Sequence, residues 1–413
     1  MAELKVFPTE ECSDETRKVT VVLGSVPKDG GTFTFYRNIR PVLAFHGIEL
    51  KCVSVGPREA ALWENSYVDD GCVLLAPKTR SIKKQAREFV EWCERAEVDI
   101  VIGLNSEAIL SSLPHLPERI RTLSRCANAF DHGYRITMSC ATRLARIIAI
   151  TPRLEQDLVR DYGADSSKMQ LIPNGIDPGP FASAATLPRG GESFLRLGFL
   201  GRLEHNQKGV FYLPEIVQEL KRLGVHFHLK IAGKGKHGER LENQMKADVA
   251  SGRVEFLGAL SHKEVPEFLA ETDVFVFTSH FEGCPNALLE GMMAGCVPVS
   301  WMIEGITDYI VSDGQTGHIC AMGDGQAFAA HIARLARDRE SLREMGLAAA
   351  EAARRRFTHQ TMGEAYAAII DDVMRKPPPS WAPRAWSEFR RDPNFKHSWK
   401  EWIPDSIRRL VKP

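Results

Sequence analysis

The sequence predicts an α/β protein with two doubly wound, mostly parallel sheets that face each other across a cleft. Three observations support this: a length of 413 residues, an alternation of short apolar runs with amphipathic segments in each half, and a Pro/Gly-rich break between the halves. A chain of this length usually forms more than one domain. Strands and helices that alternate in series favour parallel sheets with right-handed crossovers.

The first half contains four predicted buried strands with helical patterns between and after them. The strands are residues 19–23, 50–55, 98–102 and 147–150, and the helices are residues 32–46, 81–96 and 153–163. Residues 1–18 are polar and without periodicity, which indicates a flexible tail. We therefore assign residues 19–180 to the N-terminal domain.

The second half repeats the plan after the break IPNGIDPGP at residues 172–180, where we place the domain junction. The predicted strands are 195–201, 226–233, 253–258, 274–279 and 296–300, and the predicted helices are 209–223, 238–250, 262–270 and 286–294. Residues 325–374 are helical in pattern. This gives a second domain at 181–374 and a tail at 375–413. In such sheets, ligands bind beyond the carboxyl ends of the strands.

Composition excludes several classes of protein. Lys plus Arg and Asp plus Glu both number 53, so the chain lacks the basic excess of a nucleic-acid-binding protein. We expect no signal peptide and no transmembrane helix, because neither pattern occurs. The nine cysteines are never spaced C-x-x-C, which argues against a disulfide framework or a zinc site and favours the cytoplasm.

The segment GRLEHNQKG, residues 201–209, follows a predicted strand and brings two cations to its end. Arg202 and Lys208 are suited to a leaving diphosphate, whose negative charge grows as the glycosidic bond breaks. Taken alone, the segment is equally compatible with a solvated charged loop.

The segment HFEGCPNALLEGMMAGCVPVS, residues 280–300, contains two glutamates seven residues apart. Glu282 lies in a predicted turn and Glu290 on the helix that follows. Carboxylates there can accept hydrogen bonds from sugar hydroxyls and from a ribose diol. The backbone N–H groups of Gly283, Cys284, Asn286 and Ala287 at the helix start form an anion-binding place, and Pro285 between them is counted with the donor-binding residues. An isolated E-x7-E pattern would suggest only a turn residue and a helix-dipole contact.

Together these segments resemble the retaining GT-B glycosyltransferases of family 4. The motifs G-R-L-x5-K-G, I-A-G-x-G, V-E-F-L-G and E-G-x-P-N-A-L-L-E-x-M-x-A-G-x-P-V occur in the family's order and spacing. The resemblance covers residues 19–374 and implies two Rossmann-like domains. It further implies that Arg202 and Lys208 hold the donor diphosphate, Glu282 the sugar, Glu290 the ribose, and backbone near Phe256 and Leu257 the base.

The N-terminal half offers weaker signals by the same resemblance. Gly30 and Gly31 resemble a glycine-rich loop that closes over the donor phosphate. His132 stands where the family often has a histidine near the reaction centre, and we count it as catalytic with Arg202, Lys208 and Glu282. The turn at Asn174 and Gly175 is interpreted as architectural.

Two departures from the family pattern occur in the second half. Lys234 and Lys236 occupy a stretch that is commonly acidic, and we expect both to face water. Cys284 replaces the usual aromatic after E-G, which predicts a smaller wall beside the sugar.

The predicted activity is metal-independent transfer of a hexose or N-acetylhexosamine, with retention, from a nucleotide-sugar to an acceptor. No D-x-D motif lies by the cleft, so neither a cofactor nor a metal is expected, and the cations and helix dipole take the electrostatic role. UDP-sugars are favoured as donors over GDP-mannose. The acceptor is a saccharide, a lipid-linked glycan or a small molecule. The alternatives are a catalytically silent sugar-nucleotide-binding or scaffold protein, an epimerase and a phosphorylase.

The tail from residue 375 contains ten Lys or Arg, four Asp or Glu, and four of the seven tryptophans: Trp381, Trp386, Trp399 and Trp402. We interpret it as a segment that returns to the first domain with its tryptophans buried. Aromatic and basic residues also suit a membrane surface, so peripheral contact of residues 377–413 with the inner face of the membrane is the alternative.

Overall fold

Two parallel sheets form the protein in the computed structural model, which describes residues 18–25, 31–182, 193–378 and 380–395. The described residues give one seven-stranded sheet in the order β3-β2-β1-β4-β5-β6-β7 and one six-stranded sheet in the order β10-β9-β8-β11-β12-β13. Helices cover both faces of each sheet, which explains why most strands are apolar runs without alternation. The prediction of two Rossmann-like sheets is confirmed.

The first sheet and its helices come from the first half of the chain. The strands are Val19–Gly24 (β1), Ile48–Val55 (β2), Cys72–Leu75 (β3), Ile100–Gly103 (β4), Arg121–Cys126 (β5), Leu144–Ala149 (β6) and Met169–Leu171 (β7). The helices are Gly31–Phe45 (α1), Pro57–Ala60 (α2), Ser66–Asp69 (α3), Ile82–Arg95 (α4), Glu107–Ser112 (α5), Asp131–Thr137 (α6) and Pro152–Tyr162 (α7).

The second sheet begins after residue 193. The strands are Leu195–Leu200 (β8), Phe227–Ala232 (β9), Val254–Gly258 (β10), Val274–Phe277 (β11), Val297–Trp301 (β12) and His318–Cys320 (β13). The helices are His205–Lys208 (α8), Leu213–Arg222 (α9), Gly238–Gln244 (α10), Lys246–Ala250 (α11), Val265–Ala270 (α12), Asn286–Met293 (α13), Thr307–Ile310 (α14), Gly325–Arg337 (α15), Arg339–Arg356 (α16) and His359–Arg375 (α17).

Four strands of the structure were not predicted from the sequence: β3, β5, β7 and β13. Strands β3, β7 and β13 have three or four residues and lie at sheet edges, so they lack a long apolar run. Strand β5 is central but reads RTLSRC, and its polar residues Ser124 and Arg125 are nevertheless buried. Tertiary packing outweighs local composition at this strand.

Helix α17 belongs spatially to the first domain, although we assigned residues up to 374 to the second. Met362, Tyr366 and Ile370 pack in the same core as Leu23 and Ile39 of the first sheet. Gly363 lies so close to α1 that an added Cβ would come 2.5 Å from Cβ of Val42. The chain therefore crosses back about one helix earlier than residue 375, because the apolar face of α17 covers α1.

The described part of the tail continues along the first domain. Trp386 stacks on His115 at 4.4 Å between ring centroids, and Arg391 donates to both carboxylate oxygens of Glu107 at 2.6 and 3.0 Å. Phe395 meets His132 edge-on. Trp399 and Trp402 lie outside the described residues. Within the described ranges, no helix has the length and apolarity that crossing a bilayer requires.

Candidate nucleotide-sugar site

The carboxyl ends of β8, β9 and β11 bring three loops together. Strand β8 lies between β9 and β11, so chain connections diverge on either side of it, as they do at the ligand crevice of doubly wound sheets. Gly233 has φ +147° and touches the backbone of the β8 loop: an added Cβ would lie 1.8 Å from the Gly201 carbonyl oxygen. Glycine is required at Gly233 because no side chain fits.

Lys208 and Glu282 meet at the centre of this edge. Lys208 Nζ lies 2.5 Å from Glu282 Oε1, and only 15% and 8% of the two side chains are exposed. The pair is held by contacts between their loops, since Thr278 Oγ1 donates to the Lys208 carbonyl at 2.8 Å and His280 N–H donates to that of Gln207 at 2.8 Å. The structure thus joins two residues that lie 74 positions apart in the sequence.

Arg202 lies on the Lys208 loop but at its solvent side. Its guanidinium is exposed, donates to Gln207 Oε1, and lies 3.6 Å from a Glu204 carboxylate oxygen. Lys234 and Lys236 are exposed as expected, and Lys236 pairs with Glu204 at 2.6 Å. Lys208 is therefore the more enclosed of the two cations that we assign to the diphosphate.

Gly209 ends the Lys208 loop, and we predict that Gly209→Ala destabilises the protein. Gly209 has φ +61°, and an added Cβ would lie 2.0 Å from the Thr278 carbonyl oxygen. The free energy of unfolding should fall by roughly 2–5 kcal/mol, since backbone strain and steric overlap add. Gly224→Ala is the matched control, because Gly224 has φ +68° but open space around it, so only strain of roughly 1–2 kcal/mol is expected. Equal losses in urea unfolding of the two variants would contradict the contact.

The N-terminus of α13 is open to an anion. Pro285 occupies the N-cap position and supplies no side-chain cap. The backbone N–H groups of Gly283, Cys284, Asn286 and Ala287 donate no hydrogen bond to any described residue. Unsatisfied N–H groups at a helix start bind phosphate well. Cys284 is buried, and burial raises the pKa of its thiol to about 12. Its side chain therefore lines the site and does not act as a nucleophile.

Glu290 lies on the second turn of α13 and is half-buried. Its carboxyl group forms no hydrogen bond or ion pair with a described residue, and burial raises its pKa from 4.5 to about 7. A carboxylate left without partners in this way is suited to accept hydrogen bonds from a ligand diol. Phe256 and Leu257, which we assign to the base, are half-buried on the edge strand β10.

The first-domain candidates are less closely tied to this centre. Gly30 lies outside the described residues. Gly31 is the exposed first residue of α1, and an added Cβ there would contact nothing within 4 Å. His132 is exposed on the first turn of α6 and its ring contacts Phe395, not Lys208 or Glu282. Its catalytic role stays a prediction.

Other first-domain residues contact the turn at residues 283–286, which we call the donor loop. The sequence analysis did not assign these residues to the site. Gly283 faces Ala127: an added Cβ would lie 2.2 Å from the Ala127 carbonyl oxygen. Thr151 Oγ1 donates to the Gly283 carbonyl at 3.1 Å. Asn174, interpreted as architectural, donates to the Cys284 carbonyl at 3.1 Å. Only the folded chain brings these residues together, and no motif marks Ala127 or Thr151.

Metal ligands would need His, Cys, Asp or Glu side chains grouped together. No group of three or more of these side chains is placed to hold a metal ion in the ranges that the structure covers. The cysteines of those ranges are free thiols.

Sequence comparison relates the second half of the chain to known glycosyltransferases. Residues 195–338 match the family model described as glycosyl transferases group 1. A glycogen synthase from Mycobacterium tuberculosis is 29% identical over 223 residues, which are 54% of this chain and 53% of that protein. The Erwinia amylovora amylovoran biosynthesis glycosyltransferase AmsK is 30% identical over 48% of this chain and 49% of its own length. The chain thus spans about half the length of these curated relatives.

Structure comparison extends the likeness to both domains. A glycosyltransferase from Rickettsia africae superposes with a TM-score of 0.72 at 15% identity, covering 87% of this chain and all of that one. Anabaena Alr3699/HepE in complex with UDP has a TM-score of 0.69 at 17% identity, covering 86% of this chain and 100% of its own. At such identities the likeness concerns the fold. The chain therefore has the two-domain GT-B fold of these glycosyltransferases, and its residues 195–338 match the group 1 glycosyltransferase family model.

Proposed function

We propose that the chain is a retaining glycosyltransferase that transfers a hexose or N-acetylhexosamine from a UDP-sugar to an acceptor. The observation that carries this proposal is the arrangement around α13. Lys208 and Glu282 meet beside four backbone N–H groups without described partners, and Glu290 follows one turn later. The lysine and the anion-binding turn suit a diphosphate. Glu282 suits the hydroxyl groups of a donor sugar, and Glu290 suits a ribose. In support, one relative in sequence is a glycogen synthase, and Anabaena Alr3699/HepE, which has the same fold, is known in complex with UDP.

In this proposal Lys208 and the start of α13 stabilise the charge that develops on the leaving diphosphate. Arg202 adds a second cation from the solvent side. Glu282 exchanges its ion pair with Lys208 for hydroxyl groups of the donor sugar. We assign retention to attack on the face that the diphosphate leaves, with a phosphate oxygen accepting the acceptor's proton. No metal ion is needed, since the lysine and the helix dipole supply positive charge.

The acceptor is a saccharide, a lipid-linked glycan or a small molecule bound by the first domain. The carboxyl ends of the first-sheet strands face it, and His132 on α6 lies at that edge. We propose a cytoplasmic location, because the cysteines of the described residues are free thiols, as is usual in a reducing compartment. The basic, tryptophan-containing residues after Phe395 are proposed as a peripheral contact with the inner face of the membrane.

A thermal-shift screen against UDP, GDP, ADP, TDP and their sugar conjugates tests the donor proposal. We expect UDP and one UDP-sugar to raise the melting temperature most, with or without EDTA, because a ligand that binds only the folded state stabilises it. A preference for GDP-mannose would indicate a mannosyltransferase. Binding without release of nucleoside diphosphate from any donor would favour the scaffold alternative, and a requirement for magnesium would contradict the metal-free mechanism.

A further inference from the structure

The turn at residues 283–286 belongs to the second domain, but first-domain side chains hold it in place. Two consecutive carbonyl oxygens of this turn accept hydrogen bonds across the cleft. Thr151 Oγ1 donates to Gly283 at 3.1 Å, and Asn174 Nδ2 donates to Cys284 at 3.1 Å. The N–H groups that leave the same turn are the ones proposed to bind the donor diphosphate. The geometry of the anion site therefore depends on both domains.

Thr151 is used in an unusual way. It occupies the N-cap position of α7, where a threonine hydroxyl ordinarily accepts a hydrogen bond from its own helix. Here the side chain makes no such bond and donates to Gly283 instead. The residue is fully buried, so water cannot replace this bond. The local capping bond is given up for a contact with the donor loop.

Asn174 has chemistry that fits its position on both sides. Arg125 Nη2 lies 2.6 Å from Asn174 Oδ1, and a guanidinium can only donate, so the amide oxygen must face it. The Cys284 carbonyl can only accept, so the amide nitrogen must face the turn. The same nitrogen lies 2.8 Å from Asn286 Oδ1. An aspartate at this position would keep the contact with Arg125 and lose the hydrogen bond to the Cys284 carbonyl.

Arg125 fixes this amide from inside the first domain. It is 4% exposed, lies at the end of β5, and stacks on Phe35 with 4.1 Å between the guanidinium carbon and the ring centroid. Among the described residues it forms no ion pair, and its Nε donates to none of them. A buried cation without a carboxylate is costly. Arg125 contacts Asn174, which in turn contacts the turn proposed to bind the diphosphate. We attribute the unfavourable burial of this cation to that position.

We propose that Arg125, Asn174 and Thr151 are positioning residues for the diphosphate of the donor, holding the turn 283–286 so that its N–H groups converge on the phosphates. This inference rests on the proposed function. It gives the first domain a part in binding the donor as well as the acceptor. A movement between the domains would break or form these hydrogen bonds, so it would change the affinity for the diphosphate directly.

The test compares UDP with uridine in calorimetric and ligand-observed NMR titrations of the full-length protein. Thr151→Val and Asn174→Asp are the variants, and each should weaken UDP binding by about tenfold, the effect of one lost hydrogen bond or more. Uridine affinity should stay unchanged, because the sites proposed for base and ribose lie elsewhere. Thr151→Ser should bind UDP as the wild type does, since it keeps the hydroxyl group.

Asn38→Ala is the matched control. Asn38 Nδ2 donates to the Gly175 carbonyl at 2.9 Å, next to Asn174, but has no hydrogen bond to the donor loop. Wild-type UDP affinity in Thr151→Val and Asn174→Asp would overturn the inference. So would an equal loss in Asn38→Ala, or a parallel loss of uridine binding, because either result indicates general disturbance of the fold. If wild-type protein binds none of UDP, GDP, ADP or TDP, the proposed function fails first.

Discussion

Lys208→Gln should lower donor turnover by roughly a hundredfold or more, the effect of removing a charge that stabilises a transition state. Glutamine keeps a hydrogen-bond donor for Glu282 but carries no charge. Turnover is measured as hydrolysis of the sugar donor that the nucleotide screen identifies, in which water takes the glycosyl group and nucleoside diphosphate is released, so the assay needs no added acceptor. The loss should fall on kcat more than on KM, since the diphosphate charge grows only as the bond breaks.

Glutamine is preferred to alanine because Lys208 and Glu282 form an enclosed ion pair. Removing one partner of a buried pair leaves an uncompensated charge and costs about 3–5 kcal/mol of stability. Both variants leave the Glu282 charge without its cation, but glutamine keeps a hydrogen-bond donor for the carboxylate, so Lys208→Ala should lose more folded protein than Lys208→Gln. Urea unfolding of Lys208→Gln shows how far the fold is retained.

Lys236→Ala is the matched control for charge. Lys236 lies on the neighbouring loop, is exposed, and pairs with Glu204 at 2.6 Å. Its removal lowers the positive charge of the same region by one unit, yet turnover should stay within about twofold, since exposed pairs contribute little. If Lys208→Gln turns over at the wild-type rate, or if both variants lose activity equally, Lys208 is not the specific partner of the diphosphate.

The sequence predicted the second domain more completely than the first. Its predicted strands follow unbroken apolar runs such as VFVF, and its candidate site residues lie in two recognisable motifs, so motif order alone pointed to Lys208, Glu282 and Glu290. Short edge strands such as β13 escaped because three residues carry no period. The ion pair between Lys208 and Glu282 also escaped, because sequence gives loop membership but not the distance between loops.

The first domain was harder to interpret for a different reason. Its contacts with the turn at residues 283–286 depend on single side chains near strand ends, such as Arg125 near the end of β5 and Thr151 after β6, and neither stands in a motif. Arg125 also made β5 harder to predict, because a charged residue in the sequence suggests an exposed position and not a buried strand. Asn174 was noticed as part of a turn, but its contact with Cys284 depends on the packing of two domains. Interdomain contacts of this kind have no periodic signal.

Glu290→Gln should abolish a pH dependence of donor binding that the wild type shows. Burial raises the pKa of Glu290 to about 7 in the protein without ligand, and only the carboxylate can accept two hydrogen bonds from the ribose diol. Binding then releases a proton, so affinity rises with pH and levels off above the pKa. UDP-glucose is the probe, because its phosphates do not titrate in this range. Wild-type affinity should increase about tenfold between about pH 6 and about pH 8.

Stability should respond in the opposite direction. A carboxyl whose pKa is higher in the folded than in the unfolded state favours folding while protonated, so its contribution is lost as pH rises from 4.5 towards 7. Without ligand, Glu290→Gln should therefore melt at a higher temperature than the wild type at about pH 8, and at nearly the same temperature at about pH 5. Residues whose partner is a ligand commonly lower the stability of the protein without that ligand.

A ligand control separates the ribose assignment from general electrostatics. UDP with 2′,3′-dideoxyribose lacks the diol, so Glu290→Gln and the wild type should bind it equally at about pH 8, whereas UDP itself should bind the wild type more tightly. Glu290→Ala should weaken UDP by roughly a hundredfold or more, because two charge-assisted hydrogen bonds are lost. If dideoxy-UDP distinguishes the two proteins as strongly as UDP does, Glu290 acts on another part of the ligand, although its pH dependence would remain. If neither ligand distinguishes them and the pH dependence persists in Glu290→Gln, Glu290 has no part in donor binding.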